Sequence, residues 1–470
     1  MPQKLRTSVF ACLFAVLTAG PGCSATPEAT DVTHATFSSP SGCCYTPDNR
    51  PTETLVGLVA SGEAGSMQVA ALRARGPASL DALLARLDKA TPEEKPRLRS
   101  AIDKVAAQRD ADVSKLYWYT DLEEAKRVAK EQGKPILSLR LLGNLNEELS
   151  CANSRFFRTA LYPNEKVSRA LRERFILHWS SERAAPRITI DFGDGRKVER
   201  TITGNSLHYV LDEEGRVLDA IPGLYGPDAF LAALADAESL HDRVAMDDTD
   251  RFYDIVQRHH RARAEGLEDR WQQETAQLGF AGVPAPVPVR NPSPAAPPPA
   301  TIAMGLAQPK MAVEMPVLQA TKLGAVPPQP GGSKTVSGPA DDNLDQLFEA
   351  LATRAQPLAK LDAAGRALIE RKRPMSWTNA AGPRPLEGQE LDRMVAAFEK
   401  LMALDTVKNE YRFHARIHSW LATDRLDLTA LNARVYEELF LTPASDKWLG
   451  LIPPEAYSAI EGDGLISASP

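Results

Sequence analysis

Apolar residues first recur at helical spacing between 64 and 108, as Leu80, Leu83, Leu84 and Leu87, then Leu98, Ile102 and Val105. Recurrence at i, i+3 and i+4 predicts a helical hairpin or triplet burying one face. Its second start is marked by Thr91-Pro92-Glu93-Glu94, where Thr91 caps, Pro92 suits the first turn and Glu94 reaches back to the cap amide. Regular order is expected from about Thr54, and no second copy of this helical pair follows, which favours a packing scaffold over a solenoid.

From Trp118 to Leu234 the period switches repeatedly between about 3.6 and 2, the signature of an α/β region. Asp121 to Gln132 places Leu122, Ala125, Val128 and Ala129 on one helical face, with Gly133 as its stop. Lys134-Pro135 launches a strand over Ile136 to Leu142. A loop over 143 to 150 leads to a helix beginning at Cys151 and running to about Leu161, with another helix over Val167 to Arg174. Phe175 to Trp179 is a short buried strand. Alternating Ile188, Ile190 and Phe192 before Gly193-Asp194-Gly195 predict a hairpin over 187 to 203. Leu207 to Leu211 and Val217 to Ile221 form a second hairpin, and Asp228 to Ala237 closes the unit as a helix.

Residues 241 to 278 read as a charged helical stretch, whereas 281 to 340 are rich in Pro, Gly and Ala and read as an extended linker. Within that linker, Ile302, Met304, Leu306, Met311, Val313, Met315, Val317 and Leu318 form an apolar island suited to docking on a domain. Helical spacing returns over 342 to 440, through Leu391, Met394, Val395, Phe398, Leu401 and Met402 and then Phe413, Ile417, Trp420 and Leu421.

The first residues change the picture. Lys4 and Arg6 precede an apolar stretch, Val9 to Leu17, too short to span a bilayer, and small residues then lead to Cys23. Leu17-Thr18-Ala19-Gly20-Pro21-Gly22-Cys23 resembles a bacterial lipoprotein cleavage site, which implies export and a lipid on Cys23. Ordinary signal cleavage nearby is the alternative. The expected organisation is a signal peptide over 1 to 22, a Thr/Ser/Pro-rich tether over 23 to 53, a helical segment over 54 to 112, an α/β domain over 113 to 238, a helical extension over 239 to 280, the linker, and a helical domain over 341 to 470. A net charge of -6 supplies no broad basic field, which argues against a nucleic-acid partner.

Of five cysteines, Cys12 lies in the removable segment and Cys23 is the lipidation candidate. Cys43, Cys44 and Cys151 remain in a compartment that permits disulfides. Three is odd, so one thiol is left free or engages another molecule, unless Cys23 is unacylated and pairs instead. A bridge within the adjacent pair would be strained, and a bridge from either to Cys151 stays open.

The order of helix, Lys134-Pro135 strand, cysteine-bearing helix, strand, hairpin and closing helix is similar to the thioredoxin-like superfamily. The resemblance covers roughly a quarter of the chain and is carried by Trp118 through Leu142 and by Gly204-Asn205-Ser206-Leu207-His208-Tyr209-Val210-Leu211-Asp212-Glu213-Glu214-Gly215-Arg216. It implies an α/β thioredoxin-like central domain with flanking all-α segments. It also implies that Cys151 is the nucleophile position, because a helix N-terminus stabilises a thiolate. The resolving cysteine of dithiol members is replaced by Ser154, so two-cysteine turnover within this motif is excluded. Ser206 takes the place of the family's cis-proline, and a cis bond before serine costs about 3 kcal/mol, so a trans loop and a remodelled groove are expected. His208 lies near that groove, where it either tunes Cys151 or is a core histidine.

Other patterns yield less. His414 and His418 fall on one helical face, within reach of one metal ion, but no third ligand is evident and no metal is expected; His259 and His260 point to different faces. Asp191-Phe192-Gly193 copies a kinase tripeptide without its companion motifs and reads as a turn. The chain lacks a haem-attachment motif, a phosphate-binding glycine-lysine loop and a serine elbow, so no cofactor is expected. Two functions remain: a cell-envelope lipoprotein whose degenerate thioredoxin-like domain binds or scaffolds a protein partner, or an envelope monothiol oxidoreductase using Cys151.

Overall fold

A computed structural model describes residues 48–201, 205–244, 248–286, 339–372, 378–379, 382–383 and 388–441. The expected signal sequence, Cys23, Cys43, Cys44 and the expected apolar island lie outside the described residues. The described chain is mostly helical and contains one small mixed sheet of four strands.

Five helices open the chain: α1 (Thr52–Ser61), α2 (Ser66–Ala74), α3 (Pro77–Leu87), α4 (Lys95–Ala106) and the single turn α5 (Ala111–Ser114). Leu55, Leu72, Leu80, Leu83, Leu98 and Ile102 meet in a core of their own. Glu94 does reach back to the Thr91 amide, at 2.9 Å. The helix nevertheless starts at Lys95, with Pro96 rather than Pro92 in its first turn, because 92–94 form a separate turn. Trp118 anchors this unit to the next: its indole N–H donates to Gln108 at 2.8 Å, and the Arg73 guanidinium donates to the Trp118 carbonyl at 2.9 Å.

Asp121 caps α6 (Leu122–Gln132) by accepting from the Glu124 amide, and Gly133 ends it at φ 61°, a left-handed conformation that glycine adopts without a Cβ clash. The sheet then assembles from β1 (Ile136–Leu142), β2 (Ile176–Arg183), β5 (Leu207–Leu211) and β6 (Val217–Pro222). Its order is β2-β1-β5-β6, with β1 and β2 parallel and the other pairs antiparallel. Strand β2 extends four residues past the expected Trp179. β1 is a near-continuous apolar run because both faces of the sheet are covered. The parallel β1–β2 connection carries α7 (Ala152–Phe156), a π-helical turn over Phe157–Leu161, and α8 (Glu165–Arg174).

Between β2 and β5, the strands β3 (Arg187–Asp191) and β4 (Lys197–Thr201) pair, among the described residues, only with each other, as the predicted hairpin. Its turn is set by the Phe192 amide donating to the Arg196 carbonyl at 3.1 Å. Past the sheet, the expected closing helix is α9 (Pro227–Val244), which runs on past Ala237, and the charged helical stretch expected over 241 to 278 contains α10 (Thr249–Gln277).

The C-terminal segment supplies α11 (Pro339–Ala355), α12 (Ala363–Arg371), a two-residue ladder β7 (Thr378–Asn379) with β8 (Gly382–Pro383), α13 (Gly388–Lys408), α14 (Ala415–Leu421) and α15 (Leu428–Arg434). These helices share one hydrophobic core with the sheet: Phe398, Ile417, Trp420 and Leu431 join Leu139, Tyr209 and Ile221. Phe398 meets Phe156 edge-to-face, ring centres 4.9 Å apart.

Candidate functional site

Cys151 sits at the N-cap of α7, where the backbone turns from extended to helical. Its amide donates to the Leu142 carbonyl at 3.1 Å, so the loop closes directly back onto the end of β1. The residue is free and 0% exposed, within the main apolar core. Ser154 does not turn toward the sulfur. Its hydroxyl donates to the Ser150 hydroxyl at 2.6 Å and lies 2.8 Å from the Cys151 carbonyl. Arg158, also fully buried, donates to the Ser150 hydroxyl at 3.0 Å. Burial pushes the guanidinium of Arg158 down, opposed by the charges of Glu148 and Asp110.

The two expected groove residues are equally enclosed. Ser206 precedes β5, and its buried hydroxyl has no hydrogen-bond partner among the described residues. Its carbonyl accepts from the Gly223 amide at 2.9 Å. His208 is buried between Phe157 and Phe230, with its Nε2 2.7 Å from the Tyr162 hydroxyl. Burial holds this imidazole down at about 3, so it is neutral. It behaves as a packed core histidine bonded to a tyrosine.

A second constellation assembles from residues far apart in sequence. Asp219 is the central residue of the buried strand β6, His260 lies midway along α10, and His418 lies on α14. The Nδ1 atoms of His260 and His418 face each other at 2.7 Å, and His418 Nδ1 lies 4.0 Å from Asp219 Oδ1. One ligand atom from each of the three residues falls within 4.8 Å of the others, and all three residues are buried. His260 Nε2 donates to the Leu218 carbonyl at 2.8 Å.

His414 flanks this group from a π-helical turn over Asn409–His414, a form of helix frequent at functional sites. As the i, i+4 spacing predicts, its ring stacks on that of His418, centres 4.1 Å apart. His414 Nε2 lies 3.0 Å from Asp219 Oδ1, and its Nδ1 lies 3.3 Å from Glu410, which also pairs with Arg270 at 2.6 Å. Burial opposes a charge on His414, but the carboxylates of Asp219 and Glu410 outweigh it and raise the group to about 10. Burial lowers His260 to about 4 and drives His418 well down. The cluster therefore holds one imidazolium and two neutral rings around a buried carboxylate. His259 faces away, to Asp236 at 3.2 Å.

Sequence reading brought together only His414 and His418. The missed signal was Asp219, a carboxylate inside the apolar run Val217 to Ile221, since a buried carboxylate requires partners from elsewhere in the fold. No family model, curated protein or solved structure matches the chain. Among the described residues, no helix is long and apolar enough to cross a membrane.

Proposed function

We propose that the chain is an exported, lipid-anchored protein whose thioredoxin-like α/β part serves as a protein-binding or scaffolding module without thiol turnover. The observation that carries this reading is the state of Cys151: its thiol is 0% exposed and packed in the core. A thiolate must reach a disulfide sulfur in line to exchange with it, and a sealed sulfur has no such path. Ser154, the residue at the resolving position, is committed to Ser150. The family reading is supported by a cysteine that follows β1 at a helix start, in a sheet ordered β2-β1-β5-β6 with one parallel pair.

Surface for a partner is present on the inserted β3–β4 hairpin, where Ile190 and Phe192 are 51% and 54% exposed. The rival reading, a monothiol oxidoreductase, is favoured by one observation: Cys151 sits at the N-cap of α7.

Alkylation of the purified protein from pH 6 to 9, in native buffer and in denaturant, separates the two. A binding module protects Cys151, so native labelling of the peptide that carries it, identified by its absence in Cys151→Ala, is slower than in denaturant by orders of magnitude. Native labelling at the denatured rate, with a thiolate persisting well below the ordinary value of about 8.5, would return the protein to the oxidoreductases. Lipid anchoring is tested separately, by label incorporation that disappears in Cys23→Ala.

A further inference from the structure

We propose that Asp219, His260 and His418 form a structural binding site for a first-row divalent cation of the zinc type, seated where β6, α10 and α14 meet. The donor set is two imidazoles and a carboxylate, a combination zinc accepts, and all three come from rigid elements rather than loops. Tetrahedral zinc with bonds of about 2.0–2.1 Å holds its ligand atoms roughly 3.3 Å apart. The separations of 2.7 Å between the two Nδ1 atoms and 4.0 Å from His418 to Asp219 bracket that value. Small side-chain rotations would close the triangle around one ion.

The hydrogen bonding of His260 already suits loading. Metal-bound histidines donate their other ring N–H to a carbonyl or carboxylate, which fixes the tautomer. His260 does so through Nε2, to the Leu218 carbonyl, so its Nδ1 is a bare lone pair aimed at His418. Only one proton fits between the facing nitrogens, and it belongs to His418 Nδ1. A cation would take the place of that proton. Asp219 is steadied by His414, whose Nε2 lies 3.0 Å and 3.1 Å from its two oxygens, as a ligating carboxylate usually is by an outer partner. His418 Nε2, which would carry that ring's proton once Nδ1 is a ligand, is buried with no hydrogen-bond partner among the described residues.

With every ligand buried, the bound ion would be a staple between the sheet and the C-terminal helices, with no open approach for substrate. The test uses tag-free full-length mature protein, stripped with chelator, dialysed against zinc chloride and analysed for bound metal. Uptake of about one zinc per chain, with a raised melting temperature, is expected. His260→Gln and His418→Gln should weaken binding by roughly tenfold or more, while His259→Gln, on the neighbouring residue facing Asp236, should bind as wild type. Because a buried substitution can unfold the protein, zinc-edge X-ray absorption on the unaltered chain supplies a second readout. A nitrogen/oxygen shell with imidazole scattering is expected. Substoichiometric uptake, sulfur in the first shell, or full binding retained in both folded glutamine variants would overturn the site.

Discussion

Asp103 shows how a single side chain sets a pH response. Its carboxylate accepts from the Ala111 amide at 3.0 Å and lies 3.7 Å from Arg109, yet burial dominates and, with the Asp110 charge, raises the group from 3.8 to about 6. A carboxyl raised in the folded state binds its proton more tightly there than in the unfolded chain. Its contribution is therefore most favourable below pH 4 and is lost as pH rises through about 6. Asp103→Asn keeps the acceptor for Ala111 and removes the buried charge. Thermal melts should find the variant more stable at pH 8, by on the order of 2 kcal/mol, with the difference vanishing near pH 4. A variant less stable than wild type at pH 8 would show that the Arg109 pairing outweighs burial. None of this was legible in sequence, where Asp103 is one polar residue on a helix whose apolar positions, Leu98, Ile102 and Val105, were identified correctly.

Individual elements were read more completely than their assembly. Asp121, Gly133 and Lys134-Pro135 bounded a helix and a strand because capping and strand entry are local chemistry. The π-helical turns over Phe157–Leu161, Asn409–His414 and Val435–Leu439 left no trace in apolar spacing, since each changes the period for little more than one turn. The junction of β6 and α9 is a further case that only the fold reveals. Gly226 donates to the Thr406 hydroxyl at 2.8 Å, and a Cβ on it would meet the Leu358 carbonyl oxygen at 2.6 Å and the Ala359 Cα at 2.8 Å. Both neighbours are backbone and cannot swing aside. Gly226→Ala should therefore destabilise by about 1–3 kcal/mol, seen as a lower denaturation midpoint with an unchanged far-ultraviolet spectrum of the folded protein. An unchanged midpoint would show that the Leu358–Ala359 backbone shifts to admit a methyl group.

At the scale of the whole molecule, the sequence reading treated the C-terminal helices as a domain of their own. The structure seats them on the sheet through Phe398, Ile417 and Trp420. Periodicity identifies which face of a helix is apolar but not what covers it, and Asp219, His260 and His418, separated by 41 and 158 positions in the chain, meet only after that covering is complete. A second bond between distant parts is ionic. Arg371 pairs with Asp110 at 3.0 Å and Asp112 at 2.7 Å, and Lys372 with Asp110 at 2.6 Å and Glu148 at 3.0 Å. These pairs reach back from the end of α12 to α5 and its N-cap Asp110, and to Glu148 in the loop before Cys151. The peptide connection between 286 and 339 is thus not what keeps the two halves in register. A chain given a specific protease site there and cut should co-elute as one particle and part only in denaturant or strong detergent. Separation of the fragments in native buffer would count against the shared core. Enzymatic nicking in the cell would then leave a severed polypeptide still holding its form, visible as two bands on a denaturing gel and as one species everywhere else.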